Sequence, residues 1–377
     1  MSAADGVIVG TTKIVDHGPD ARRWTMVILA EGYRQAELPK FRSDARAFVD
    51  QLFRTPPYTE MWCAINVYQV EIASTDSGAD DPVACGDGTV GSGRTAATYF
   101  DATYCFNNTR RLLVGDQALA LATAQAQVPE VDATVVIVND AQYGGAGGSV
   151  AWFSTAPSAS LIGIHELGHS AFRLADEYAD VNNTHAGGEP PEPNITTITA
   201  RATTKWADLI KATTPLPTRS NPDATCATED NGPSPVAVGT VGLFEGGGRT
   251  RCGVYRPEHL CNMKRLDQPF CAVCKRAIRA RLRPHLPQAS APTRGVQFAG
   301  TLAANETRRW FTYDWPACWH VLWTVAPRTP VTTVPAVRWR VQIERASRER
   351  LTYWIVVTNL TASALEIEGR YEIFAKD

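Results

Sequence analysis

Apolar residues along the first third of the chain fall into short blocks with two different periods. Arg23–Glu31 is apolar almost throughout and reads as a buried strand. Lys40–Phe53 places Phe41, Ala45, Phe48, Val49 and Leu52 on one helical face. Ala64–Ile72 reads as a second strand, Leu112–Ala126 as a helix, and Ala133–Val138 as a short buried strand. Strands alternating with helices imply an α/β layer. Residues 74–109 break the pattern. They are rich in Gly, Asp, Thr and Asn and read as a long functional or poorly packed loop.

The next apolar block surrounds a polar pentapeptide. Leu161, Ile162 and Ile164 lead into His165-Glu-Leu-Gly-His169, and Ala171, Phe172, Leu174 and Ala175 follow it, so the block reads as a buried helix. Positions i and i+4 of a helix lie one turn apart on the same face. His165 and His169 can therefore turn two imidazoles toward one point, with Glu166 beside them. That is the H-E-x-x-H arrangement of zinc hydrolases, two ligands and a general base on one turn.

A catalytic zinc takes three protein ligands and keeps one open position. The metzincin form of the motif supplies the third as a histidine after a turning glycine. Here Phe172 stands where that glycine would be, and Ala175 where the histidine would be. Asp176, Glu177, His185 and His259 are the candidates. On a straight helix Asp176 would lie about 10 Å along the axis from His169, at about 1.5 Å per residue. Its use as a ligand therefore requires the helix to end or bend near Arg173–Ala175.

Gly144, Gly145, Gly147 and Gly148 precede the metal helix. Glycines let another backbone approach closely, which suits an edge that holds an extended peptide by strand addition. A flexible surface loop is the other reading of the same residues. The stretch lacks the Gly-Lys-Ser/Thr ending of a phosphate loop. Tyr178 or Tyr255 could stabilise an oxyanion, and a loop tyrosine at 255 is the better placed of the two from sequence.

Beyond residue 183 the chain changes character. Residues 183–250 are dominated by Gly, Pro, Thr and Asn, with one short helix expected near Thr204–Thr213. Lys275–Arg283 reads as a basic helix, and Leu286–Thr293 as a linker. Trp310–Tyr313, His320–Val325, Val337–Ile343, Leu351–Asn359 and Ile367–Ile373 read as closely spaced strands of an all-β sandwich. The expected organisation is a zincin- or metzincin-like α/β (α+β) catalytic domain over 1–288 and a β-sandwich over 294–377. Trp310, Trp315, Trp319 and Trp323 crowd the sandwich. Aromatics of this kind are usually core, and a carbohydrate- or protein-binding face is the alternative.

Composition narrows the function. The 377 residues are 44% hydrophobic, which is globular rather than disordered. A formal charge of −2 gives no general pull toward nucleic acid or anionic lipid. No apolar run is long enough to span a bilayer. Met1-Ser-Ala-Ala-Asp-Gly-Val lacks the charged start and apolar stretch of a signal peptide. The protein is then either intracellular or a chain beginning after a removed leader, with a secreted protein favoured. Nine cysteines leave at least one unpaired. Cys252, Cys261, Cys271 and Cys274 crowd one window, whose closing C-x-x-C can mark a structural zinc site or a redox pair. The loose spacing before it favours disulfides pinning an irregular segment, and Cys63, Cys85 and Cys105 offer another.

The stretch from His165 to Tyr178 resembles the extended signature of the IgA peptidase family of zinc metallopeptidases, H-E-x-G-H followed by Leu and Asp-Glu-Tyr. Ile28-Leu-Ala-Glu-Gly-Tyr33, Tyr143-Gly-Gly-Ala-Gly-Gly148, Tyr255-Arg-Pro257, Cys261-Asn-Met263 and Phe270-Cys-Ala-Val-Cys274 resemble further segments of it in order. The likeness covers about residues 10–285. It implies zinc-dependent hydrolysis of a protein or peptide substrate, with His165 and His169 as ligands, Asp176 as the third, Glu166 as base and Met263 in a turn beneath the metal. The rival reading is an adhesion or glycan-binding protein with a vestigial metal domain. The intact His165, Glu166 and His169 argue against it, because Glu166 is not needed merely to hold a metal.

Overall fold

The computed structural model describes residues 5–287, 293–328, 331, 335–347 and 349–374. The chain divides into two compact units. One comprises Met1–Ile14 and Trp24–Pro284, and the other Val15–Arg23 and His285–Asp377. The assignment of Val15–Arg23 to the second unit is a departure from a simple division along the sequence. Most of the linker-like stretch at 286–293 lies outside the described residues.

The first unit is built on a six-stranded sheet in the order β1 (Gly6–Val15), β3 (Ile65–Ser74), β2 (Trp24–Glu31), β4 (Ala133–Val138), β6 (Ala151–Ser154) and β5 (Gly145–Ala146). β2 runs parallel to β3 and β4, and β4 runs parallel to β6. All residues of β2, β4 and β6 are buried. Parallel strands covered on both faces read as unbroken apolar runs, which is why β2 and β4 were legible by composition alone. β5 turns antiparallel to β6 and forms the sheet edge.

Helices α1 (Leu38–Arg54), α2 (Tyr58–Met61), α3 (Gln117–Gln127) and α4 (Ala159–Phe172) belong to this unit. α1 buries Leu38, Phe41, Ala45, Phe48, Val49 and Leu52, the stripe its spacing predicts. α4 lies close against β6 and α1 because Gly163 has no side chain. A Cβ there would fall 2.5 Å from the Phe153 ring and 2.9 Å from that of Phe48. The expected helix at Leu112–Ala126 starts later, at Gln117, where Asp116 caps it by accepting from the Leu119 amide.

The long segment after β3 is ordered by polar contacts rather than by regular structure. Buried Glu31, at the end of β2, accepts from the Thr98 hydroxyl (2.6 Å) and from the Phe100 and Ala102 amides (3.0 Å each). A Cys85–Cys105 disulfide closes part of it. Strands β7 (Asn182–Thr184), β8 (Phe244–Gly247) and β9 (Thr250–Arg256) make a small sheet, joined to the preceding loop by a Cys226–Cys252 disulfide. Of the expected helix near Thr204–Thr213 only one 3-10 turn forms, Ala207–Leu209. Helix α5 (Ala272–Leu282) closes the unit. The expectation that cysteines of its window pair up holds for Cys252 alone, since Cys261, Cys271 and Cys274 are buried free thiols.

The second unit contains two antiparallel three-stranded sheets. Their orders are β10 (Thr293–Leu302), β15 (Leu365–Phe374), β12 (His320–Pro327), and β11 (Thr307–Pro316), β14 (Arg350–Asn359), β13 (Val337–Arg345). Both sheets feed one core that includes Leu302, Trp323 and Ile367 from the first and Trp315, Tyr353 and Ile355 from the second. Trp315 and Trp323 thus serve packing, Trp310 stacks on Phe298, and Trp319 remains 39% exposed.

Candidate metal centre and active-site cleft

Helix α4 ends at Phe172, just past His169. Arg173 takes a left-handed conformation (φ 55°, ψ 35°) just after Phe172. Its amide and that of Leu174 fold back onto the carbonyls of His169 and Gly168. The turn reverses the chain so that Asp176 comes back over the last turn of the helix. Its Oδ1 lies 3.2 Å from His165 Nε2 and 3.1 Å from His169 Nε2, and the two Nε2 atoms lie 3.2 Å apart.

The second nitrogen of each ring decides what those three atoms can do. His165 Nδ1 sits 3.1 Å from the Asn262 carbonyl, and His169 Nδ1 sits 2.6 Å from the Leu174 carbonyl. A carbonyl only accepts, so each Nδ1 carries a hydrogen and donates. In the neutral rings both Nε2 atoms then present lone pairs to each other and to a carboxylate oxygen. Three lone pairs converging on one point are satisfied by a cation. The edges fit one: tetrahedral ligands at about 2.0–2.1 Å from zinc stand about 3.3 Å apart. Burial disfavours a proton on His169, but the Asp176 carboxylate outweighs it and pushes the ring up to about 9.

Glu166 completes the group. A donor atom from each of His165, Glu166 and His169 lies within 4.8 Å of the others. Burial pushes the Glu166 carboxyl above its ordinary range, while the two imidazoles pull it back. Gly147, just past β5, is what leaves it room. A Cβ on Gly147 would fall 2.2 Å from Glu166 Oε2. Gly145 lies on the edge strand itself, and Gly144 and Gly148 pack on Tyr104 and Gln117.

Two hollows flank the trio. One, of about 380 Å³, is lined by Arg111, Tyr143, Gly145, His165, Glu166 and Tyr178 among others. The other, of about 550 Å³, is lined by His169, Asp176, Glu192 and Arg249 among others. Burial, together with the neighbouring Asp176 carboxylate, holds the Tyr178 phenol proton firmly. Tyr255 is not among the residues lining either hollow. It lies on β9, exchanging backbone hydrogen bonds with Thr196. His185 bonds the Gly188 carbonyl in an exposed loop, and His259 packs edge-on to Phe244. Glu177 turns away from the trio to Cys271 and Cys274. Met263 lies under the metal helix, its sulfur 2.9 Å from where a Gly168 Cβ would be.

The sequence reading missed Arg111 and the Asn262 carbonyl. Neither carries a local signal, because each reaches the site through the fold.

Residues 12–231 and 230–282 match the family model of IgA Peptidase M64. The chain belongs to the IgA Peptidase M64 family. As an M64 member it is a peptidase, a hydrolase of the metallopeptidase type that acts on protein or peptide. No curated protein matches the chain. Among the described residues, no helix of this M64 chain is long and apolar enough to cross a membrane.

Proposed function

We propose that the protein is a zinc-dependent endopeptidase of zincin-like fold, with His165, His169 and Asp176 holding the metal. The observation that supports this most strongly is the triangle of lone pairs at 3.1–3.2 Å, with both rings fixed through Nδ1. The antiparallel edge strand beside a metal-bearing helix supports the fold assignment. A bound zinc ion would polarise the scissile carbonyl and lower the pKa of a water to about 7.

The chain's own groups do the rest. Glu166 accepts a proton from the attacking water and passes it to the leaving amine. Its raised affinity for a proton suits both halves of that task. Tyr178 and Tyr143, the phenols of the cleft, donate O–H to the carbonyl oxygen as it becomes negative. Tyr178 replaces Tyr255 in this role because it lines the cleft. The Gly145–Ala146 edge binds the substrate main chain in extended form, and Gly144, Gly147 and Gly148 keep side chains out of its path.

The test is a pair of measurements on Glu166→Gln. Glutamine keeps the shape but cannot take the proton. The variant should retain the parent's metal and fold while peptide cleavage falls by about 10² to 10⁴. Near-parent turnover would place the base elsewhere, and loss of metal would give Glu166 a structural role.

A further inference from the structure

A second cluster of metal-binding groups lies behind the first. Glu177, Cys261, Cys271 and Cys274 are each no more than 2% exposed, and one donor atom from each lies within 4.8 Å of the rest. The Cys261 and Cys274 sulfurs are 3.8 Å apart, and Glu177 Oε1 is 3.6 Å from Cys271 Sγ and 3.2 Å from Cys274 Sγ. Zinc bonds of about 2.3 Å to sulfur and 2.0 Å to oxygen put tetrahedral neighbours about 3.8 Å apart for two sulfurs and about 3.5 Å for sulfur and oxygen. The cluster has those spacings.

We infer that Glu177, Cys261, Cys271 and Cys274 form a second, structural site for a zinc-class divalent cation. Three further observations point the same way. The Cys271 amide donates to Cys261 Sγ (3.2 Å) and the Cys274 amide to Cys271 Sγ (3.4 Å). Backbone donors of this kind stabilise thiolates, and Cys271 and Cys274 also lie at the N-terminal end of α5, where the helix dipole favours negative charge. Finally, Glu177 Oε2 is buried with no hydrogen-bond partner among the described residues, a costly state for a carboxylate even with the Arg256 charge in its neighbourhood and the Asn194 amide on Oε1.

Four protein ligands leave no open position, so this site holds structure and does not catalyse. Its place says what it holds. Glu177 follows Asp176, and its amide donates to the Met263 carbonyl at 2.7 Å. Cys261 precedes Asn262, whose carbonyl fixes the His165 ring. Closing four ligands on one ion would therefore pin together the segment that delivers Asp176 and the segment that orients His165. Three thiolates with one carboxylate select a soft ion such as zinc over magnesium or calcium.

The experiment uses the full chain. Elemental analysis should find two zinc ions per chain in the parent and one in His165→Ala/His169→Ala. Cobalt(II) replacing zinc should give sulfur-to-cobalt charge-transfer absorption in the near ultraviolet, and His169→Ala should keep that band. A Cys271→Ser/Cys274→Ser pair should lose it. If that pair fails to fold, the bands of the parent and of His169→Ala still decide the matter. A parent whose cobalt form shows no sulfur band overturns the site. So does a non-reducing peptide map that finds any two of Cys261, Cys271 and Cys274 joined in a disulfide, because the structure holds these three as thiols. A parent with one ion, a sulfur band and no change in His169→Ala supports this site and sinks the catalytic one instead.

Discussion

Single residues carry the chemistry here because the backbone delivers them with alternating direction. Asp176 and Tyr178 face the cleft, and Glu177 between them faces the buried thiols. On the proposed assignment, Asp176→Ala should strip metal from His165 and His169. The loss of affinity should exceed the roughly 10–100-fold that an outer partner of a metal ligand costs. Metal titration of the variant checks this, and parent-like affinity would move the third ligand elsewhere. Gly147→Ala tests the room given to Glu166. The added methyl meets Glu166 Oε2, and a displacement of the order of 1 Å can cost about 10² in rate. Cleavage should fall with metal content unchanged, whereas unaltered kcat would show that the base can step aside at no cost.

At the scale of elements, the central strands and α4 were readable because their burial is uniform or periodic. The edge was not. β5 is two residues long, and a glycine-rich stretch has no period to read. β1 alternates between partly buried and exposed positions over a sequence with Gly and Thr, so neither a helical nor a buried-strand pattern appears. The candidate site was legible to the same degree. His165, Glu166 and His169 sit on one turn and announce themselves, while Arg173 turns the chain through a left-handed conformation that arginine does not advertise. Tyr255 illustrates the converse, a loop-like sequence that forms a strand. Element ends also set pH behaviour. Burial, against three hydrogen bonds, pushes Glu31 at the end of β2 up to about 7. Such a raised carboxyl contributes stability that is full below its unfolded value and is lost as pH rises through 7. The parent's melting temperature should fall relative to that of Glu31→Gln between about pH 5 and about pH 8. Parallel curves would show that Glu31 titrates normally.

At the scale of the molecule, the M64 match ends at residue 282, before the β-rich unit begins its own core. Every residue placed in the cleft lies in the first unit. A chain ending at residue 287 should still cleave short peptides in a metal-dependent way. A truncated protein that folds, binds metal and fails on such peptides would give the second unit a part in the chemistry. The truncation would not be a clean cut, however. Val15–Arg23 belongs with the second unit, so the cut leaves this segment without the strands it groups with. Proteins are made from the N-terminus, and domains generally fold as they emerge. This short early segment must therefore wait while some 260 residues are added before the rest of its unit leaves the ribosome. The second unit can close only after its later strands have been made, so the order of translation sets when Val15–Arg23 finds its partners.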